Sequence, residues 1–324
     1  MFEPSTSQNN QFPSVTDHEK ATLPSLSRRR FLQTASYLSS GLFLPGGLST
    51  QTFSVGAIPV GKTTVANGCA EVLGYCDEFM ELGFHRFEVN NTRAGIAEYY
   101  GQRVEEFKDL MERRKLTLVG LAQDSKASRQ GNLTALLEQH MLIGRFLANV
   151  GGKYITHMLA PGEILNESDE SAYRGLDIKV WAKNLNEIGY RLYNQYGVKL
   201  GYHPLQPEIT GDIYKHILEF THERYVFLIP DTGHLVAGGA DPIKVCKIYR
   251  NRIVAVHLKD FSPDVVGDKR LKAGNVPFGQ GIGNLPGVIS ELQRTKFAGW
   301  ILGESGGTNQ GMRDYMVNSL HVNL

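Results

Sequence analysis

From residue 51 onward one pattern recurs along the chain. A short run of apolar or β-branched residues is followed by a loop, then by a segment with apolar residues every three or four positions. The short runs predict strands at 52–58, 85–90, 116–121, 154–159, 198–203, 225–229, 253–258 and 300–303. The amphipathic segments predict helices at 68–82, 96–114, 133–150, 177–196, 209–223, 242–250 and 285–295, with 311–320 as an eighth. Local punctuation agrees with these periods. Asp241 stands before Pro242, an N-cap followed by a first helical residue. Gly83, Gly151 and Gly197 follow helical runs, where a left-handed residue closes a helix.

Eight strands, each followed by a helix, is the count of a (β/α)8 TIM barrel, an α/β fold. A doubly wound open sheet is the competing arrangement. Both concentrate chemistry at the carboxyl ends of their strands. The first fifty residues stand outside the pattern. Residues 1–26 are rich in Ser, Thr, Asn, Gln and Pro and show no period. Ser27-Arg28-Arg29-Arg30-Phe31-Leu32 then leads into a moderately apolar stretch that ends near residue 48. A basic start before a short apolar segment is the pattern of an export signal. This string resembles the twin-arginine motif of bacterial export. The expectation is a disordered n-region and signal peptide over 1–50, and one barrel domain over 51–324. The protein would then be periplasmic or otherwise exported, with the twin-arginine translocase as its partner during export and no stable membrane anchor after processing. A chain of 324 residues less these 50 leaves a length close to the roughly 250 residues of one barrel.

Composition narrows the function classes. Lys plus Arg total 34 against 33 Asp plus Glu, a formal net charge of +1, so no electrostatic case exists for nucleic acid as a partner. The apolar runs fall short of a spanning helix. Three Cys make no disulfide framework, and Cys69 and Cys76 sit too far apart along one helix to bridge. A protein that folds in the reducing cytoplasm before export needs none. Nothing here decides the oligomeric state, so a homo-oligomer stays open.

The candidate chemistry lies at four successive strand ends. The fifth strand delivers His203, the sixth Asp231 and then His234, the seventh His257, and the eighth Glu304. Imidazoles with carboxylates suit one divalent ion such as Mn, Co, Zn or Fe; Mg fits this donor set less well, and Ca prefers oxygen shells. Four ligands (His203, Asp231, His257 and Glu304) leave positions for two oxygens of a sugar or polyol. Glu88 ends the second strand and His157 nearly ends the fourth, so both are candidate substrate contacts. Lys259 is placed either to hold a developing oxyanion or to pair with Asp260.

Asp231-Thr232-Gly233-His234, His257-Leu258-Lys259-Asp260 and Gly299-Trp300-Ile301-Leu302-Gly303-Glu304 resemble the motifs of the xylose isomerase-like TIM barrels. That group includes sugar phosphate isomerases and epimerases and the inosose dehydratases. The resemblance is clearest over 198–305. It implies Asp231, His257 and Glu304 as metal ligands and His234 as a histidine touching substrate oxygens. It also implies a Glu on the fifth strand, where this chain has His203. Inosose dehydratases often carry His-x-His at this point, and the second position here is Leu205. Glu208, five residues beyond His203, is the candidate to reach back as an acid or base.

The expected chemistry is removal of a proton next to a carbonyl by Glu304 or Glu208, through an enediolate, in a metal-dependent sugar isomerase or epimerase. An inosose dehydratase-like lyase shares the first half of that reaction. A sugar-binding barrel without turnover is a further alternative. A nucleotide hydrolase is the remote rival, because 56–63 matches the phosphate-loop pattern G-x-x-x-x-G-K-[ST]. Pro59 removes one N–H from that loop, which counts against it. The glycine-rich turn 278–284 precedes a helix and reads as a flexible turn or an anion site, and 262–277 as a lid over the mouth.

Overall fold

The computed structural model describes residues 51–59, 68–124, 132–159, 177–262 and 274–324. The expected signal over 1–50, the second half of the phosphate-loop string with its Lys62, the acidic stretch 162–174 that the sequence suggests on the same face as the expected lid, and most of that lid lie outside these residues. The barrel strands are β1 (Ser54–Ala57), β2 (Arg86–Asn90), β3 (Thr117–Asp124), β4 (Tyr154–Met158), β5 (Lys199–Tyr202), β6 (Val226–Leu228) and β7 (Ala255–Leu258). After a two-stranded antiparallel pair, β8 (Asp260–Phe261) with β9 (Asn275–Val276), the last barrel strand is β10 (Trp300–Gly303). The order β6-β5-β4-β3-β2-β1-β10-β7 is parallel throughout. Parallel bridges Leu228 to Ile253 and Asp231 to His257 span the remaining seam between β6 and β7. The sheet is therefore a nearly closed (β/α)8 barrel, as the strand count implies.

Helices cross between the strands and cover the outside. Phe79, Phe84, Phe87, Phe107, Phe146, Leu185, Ile188 and Val288 belong to the large core cluster. A smaller cluster of Val119, Tyr154, Ile229, Val254, Ala255 and Leu302 fills in among the strands. Each such side chain contributes roughly 1.5–3 kcal/mol by leaving water. Asp241 caps the helix Pro242–Ile248 by accepting from the N–H groups of Ile243 and Lys244. Gly151 and Gly197 close their helices at φ 86° and 66°. Burial pushes the Cys76 and Cys246 thiols up to about 12, and all three cysteines are free.

The structure departs from the periodicity in three places. The expected helix 96–114 is two helices, Ile96–Tyr100 and Val104–Arg114, because the chain turns at Gly101 and Arg103 is non-helical. The expected helix 209–223 is also two, Gln206–Thr210 and Ile213–Phe220, broken where Asp212 adopts φ 56°. The helix Thr232–Ala237, buried along its whole length, is too short to show a period. The phosphate-loop resemblance fails at its first glycine. Gly56 lies inside β1 in register with Leu302, and a Cβ there would meet the Arg86 carbonyl oxygen at 2.6 Å. This glycine serves close strand packing rather than a phosphate.

Candidate active site

Asp231 leaves β6 with an extended backbone and caps the helix Thr232–Ala237, its Oδ1 accepting from the His234 N–H at 2.9 Å. One carboxylate oxygen is thus spent locally, and Oδ2 makes no hydrogen bond. Gly233 admits this turn, since a Cβ there would fall 2.9 Å from Lys259 and Phe261 side-chain atoms. The Thr232 hydroxyl accepts from the Lys259 N–H at 2.8 Å and donates to the Lys259 carbonyl at 2.6 Å, which pins the end of β7 to the helix. The Asp-Thr-Gly-His string is therefore a compact device that presents a carboxylate and an imidazole side by side.

Around Asp231 the strand ends converge. The His203 ring centroid lies 4.9 Å from that of His257 and 5.4 Å from that of His234. His203 Nε2 stands 3.6 Å from Asp231 Oδ2. Lys259 Nζ is 3.4 Å from Asp231 Oδ2 and 2.9 Å from Glu304 Oε1. His257 Nε2 is 3.3 Å from Glu88 Oε2. Glu88, Arg93, His203, His234, His257, Lys259 and Glu304 line a cavity of about 140 Å³ at the carboxyl ends of the strands. A larger hollow of about 490 Å³ opens at the opposite ends of the strands, among Lys199, Arg250, Lys296 and Trp300. No His or carboxylate lines it, so the chemistry belongs to the smaller cavity.

The charges in this cavity depend on one another. Burial favours a neutral Asp231, but Lys259, His234 and His203 outweigh it and hold the carboxyl well below the usual range. Burial also favours a neutral Glu88, yet His257 and the Tyr154 and Thr156 hydroxyls hold it low. His257 is pushed down by burial and pulled up by Glu88, Asp231 and Glu304, with a net rise.

The donor set fits a divalent ion. One ligand atom each from Asp231, His257 and Glu304 lie within 4.8 Å of one another, and so do those of His203, Asp231 and His234. Ligands placed about 2.0–2.3 Å from an ion have this spread. Asp231 is common to both groups, and its buried Oδ2 is the oxygen that faces His203 and Lys259.

Two expected site residues stand elsewhere. Glu208 is fully buried and does not line the cavity. Its Oε2 accepts from the Leu205 N–H at 2.9 Å, and its Oε1 accepts from the Tyr202 hydroxyl. It ties the helix start to β5, which corrects its assignment as acid or base. His157 is likewise absent from the lining and faces the helix Leu133–Val150. There its Nδ1 lies 2.9 Å from His140 Nε2, a correction of its assignment as a substrate contact. Lys259 pairs with Asp231 and Glu304 rather than with Asp260. The Asp260 carboxylate instead accepts from the N–H groups of Gly279, Gly281 and Gly283 at 2.9, 3.1 and 2.8 Å. The glycine-rich turn therefore binds an anion of the protein itself. Arg93 was not anticipated, because its approach to the mouth depends on the short helix Asn91–Ala94 capped by Asn90.

A family profile described as xylose isomerase-like TIM barrel matches residues 76–316. The chain belongs to that family. It is similar to an inosose dehydratase of Clostridium beijerinckii, with 28% identity over 287 residues that cover 80% of this chain and 91% of the relative. Among solved structures it resembles a xylose isomerase-like TIM barrel protein from Mycobacterium smegmatis in complex with magnesium. That match has a TM-score of 0.63 at 16% identity and covers 84% of this chain and 97% of the other. It also resembles the IOLI protein with a bound zinc atom, with a TM-score of 0.62 at 15% identity over 83% of this chain and 98% of the other. The two structural likenesses concern the fold.

Proposed function

We propose that this chain is a metal-dependent lyase that dehydrates a cyclic polyhydroxy ketone of the inosose type. The observation that carries the reading is the β5 side of the mouth. An epimerase-type site needs a second carboxylate there to carry a proton between the two faces of a carbon. This chain offers His203 at that point, and Glu208 is locked into a helix start behind it. The mouth therefore has imidazoles on one side and Glu304 on the other. The name of the Clostridium beijerinckii relative supports the same class of reaction.

Asp231, His257 and Glu304 would hold the divalent ion, which when bound supplies Lewis acidity toward the ketone oxygen. The proton transfers belong to the side chains. Histidine is suited to take and return protons near neutral pH. His203 and His234 flank Asp231 and divide the work. One imidazole removes the proton from the carbon next to the ketone. The electron pair left behind forms the C=C bond as the C–O bond to the β-hydroxyl breaks. That hydroxyl leaves as water, with a proton from the other imidazole. Lys259 steadies negative charge as it develops. The sum is loss of one water with no change of oxidation state.

Isomerisation or epimerisation is the second reading. Glu304, a quarter exposed at the mouth, is a carboxylate able to return the proton to carbon. Incubation of the metal-loaded protein with an inosose in deuterated water separates the cases by NMR. Loss of the β-hydroxyl with a new alkene carbon is the expected outcome. Deuterium uptake without loss of water selects the second reading, and an unchanged substrate spectrum across inososes and ketoses removes both. Asp231→Ala and His257→Ala should each abolish retention of about one equivalent of metal, read by elemental analysis, while Lys62→Ala should leave it intact.

We also propose that residues 1–50 address the protein to the twin-arginine pathway. Replacing both Arg28 and Arg29 by Lys should retain the chain in the cytoplasm on cell fractionation. Unaltered export of that variant would remove the proposal.

A further inference from the structure

Four strands cooperate to place one carboxylate that neither the metal donor groups nor the proton transfers use. Glu88 on β2 is 1% exposed, and its Oε2 lies 3.3 Å from His257 Nε2 across the barrel mouth. The β2–β3 register slips at this point. Phe87 pairs with Leu118 and Glu88 with Gly120, so Val119 is the extra residue of a bulge. The pleat of β2 sends Phe87 into the outer core and Glu88 toward the cavity. Gly120, opposite Glu88, carries no Cβ, and one placed there would fall 2.5 Å from the Tyr154 ring. The glycine lets Tyr154 on β4 lie across the barrel, where it packs against Trp300 with ring centroids 5.3 Å apart. Tyr154 and Thr156 border the carboxylate from β4. Glu88 belongs to neither group of convergent metal donors.

We infer that Glu88 is a positioning residue for His257. It holds the ring in one orientation and one tautomer, with the proton on Nε2 and the lone pair on Nδ1. The inference rests on the reading of His257 as a metal ligand. A carboxylate on the second ring nitrogen fixes the tautomer of a ligating histidine and raises its basicity, and loss of such a partner costs about 10–100-fold in metal affinity. The role differs from that of a substrate contact, which would act on binding of the sugar and leave the ion alone.

Two measurements on the full chain test the role. The first uses no metal. In metal-free protein with ¹⁵N-labelled histidine, held at a pH high enough that the ring is neutral, the His257 signal, assigned by its loss in His257→Gln, should show Nε2 protonated and Nδ1 bare. In Glu88→Gln it should move toward the mixture of tautomers seen in free imidazole. Nδ1 protonated in the unaltered protein, or an unchanged signal in Glu88→Gln, overturns the inference. The second titrates Zn²⁺ against a competing chelator. Glu88→Gln should bind Zn²⁺ about 10–100-fold more weakly, with an unchanged thermal melt of the metal-free protein. Glu88→Asp should recover part of the loss. Equal Zn²⁺ affinity in Glu88→Gln, with only the KM for substrate raised, makes Glu88 a substrate contact and overturns the role. If the unaltered protein binds no Zn²⁺ yet shows the expected tautomer, the metal reading falls and the positioning role stands.

Discussion

Asp231 performs two tasks with its two oxygens, and they separate by mutation. Oδ1 caps a helix through the His234 N–H, and Oδ2 faces His203 and Lys259. Asp231→Asn keeps a capping oxygen and removes the charge. It should abolish metal retention while shifting the urea midpoint by less than about 1 kcal/mol equivalent. Asp231→Ala loses both, and should cost a further 0.5–2 kcal/mol or so, the usual range for a lost cap. Glu208 makes the opposite case. It looks catalytic in sequence and is structural in the fold. Glu208→Ala strands the Tyr202 hydroxyl and the Leu205 N–H in a dry interior, and should destabilise by about 1–3 kcal/mol in urea denaturation. Its turnover per folded molecule should match the unaltered protein. A loss of turnover at unchanged stability would return Glu208 to the chemistry. Asp231 was legible because the helix cap, and with it the approach of the second oxygen to the strand ends, follows from four adjacent residues. Glu208 was not, because its direction depends on a helix that starts at Gln206 and folds the carboxylate back onto β5.

At the scale of elements, the turn after β9 explains why its glycines are spaced by two. Alternate N–H groups from 279, 281 and 283 point inward onto the Asp260 carboxylate. A Cβ on Gly281 would lie 2.4 Å from Asp260 Oδ1 and from the Phe261 carbonyl oxygen, and Gly279 adopts φ 83°. Gly281→Ala should therefore break the nest at a cost of about 3 kcal/mol, since hydrogen bonds to a charge are worth about 1.5–3 kcal/mol each. Because Asp260 follows Lys259 directly, KM should rise as well. Limited proteolysis at this turn and a thermal melt read the first effect, and steady-state kinetics the second. Sequence alone allowed an external anion here, since a glycine-rich loop looks the same whichever carboxylate or phosphate fills it.

For the whole molecule, acid stability follows from a buried pair of histidines between barrel and helices. His140 Nδ1 lies 2.7 Å from the Leu136 carbonyl oxygen, which can only accept, so Nδ1 carries the proton. His140 Nε2 then accepts from His157 Nδ1 at 2.9 Å, and both rings are neutral. Burial lowers His140 to about 4 and His157 well below the usual imidazole value. The unfolded chain protonates both near pH 6.5, while the folded chain resists. Stability is therefore fully present above about pH 6.5 and falls as pH drops toward 4. The His140 shift alone is worth about 3 kcal/mol across that window. Urea midpoints measured between pH 7 and 4 should fall accordingly, and His140→Phe should flatten the slope. A slope unaffected by that substitution would place the acid sensitivity elsewhere.

The sequence by itself determined the alternation of strands and helices, the number of barrel strands, and the strand ends that carry Asp231, His234, His257 and Glu304. Those features are written in local periods and in short strings whose geometry is settled within a few residues. Only the tertiary structure decided which carboxylates share the mouth. Glu88 and His257 are 169 residues apart and meet because the barrel closes and the pleat of β2 turns Glu88 inward. Glu208 and His157 lie within a few residues of the mouth in sequence and face away from it. Side-chain direction at a strand end depends on pleat, bulge and the next turn, and each of these is fixed by packing against elements distant along the chain.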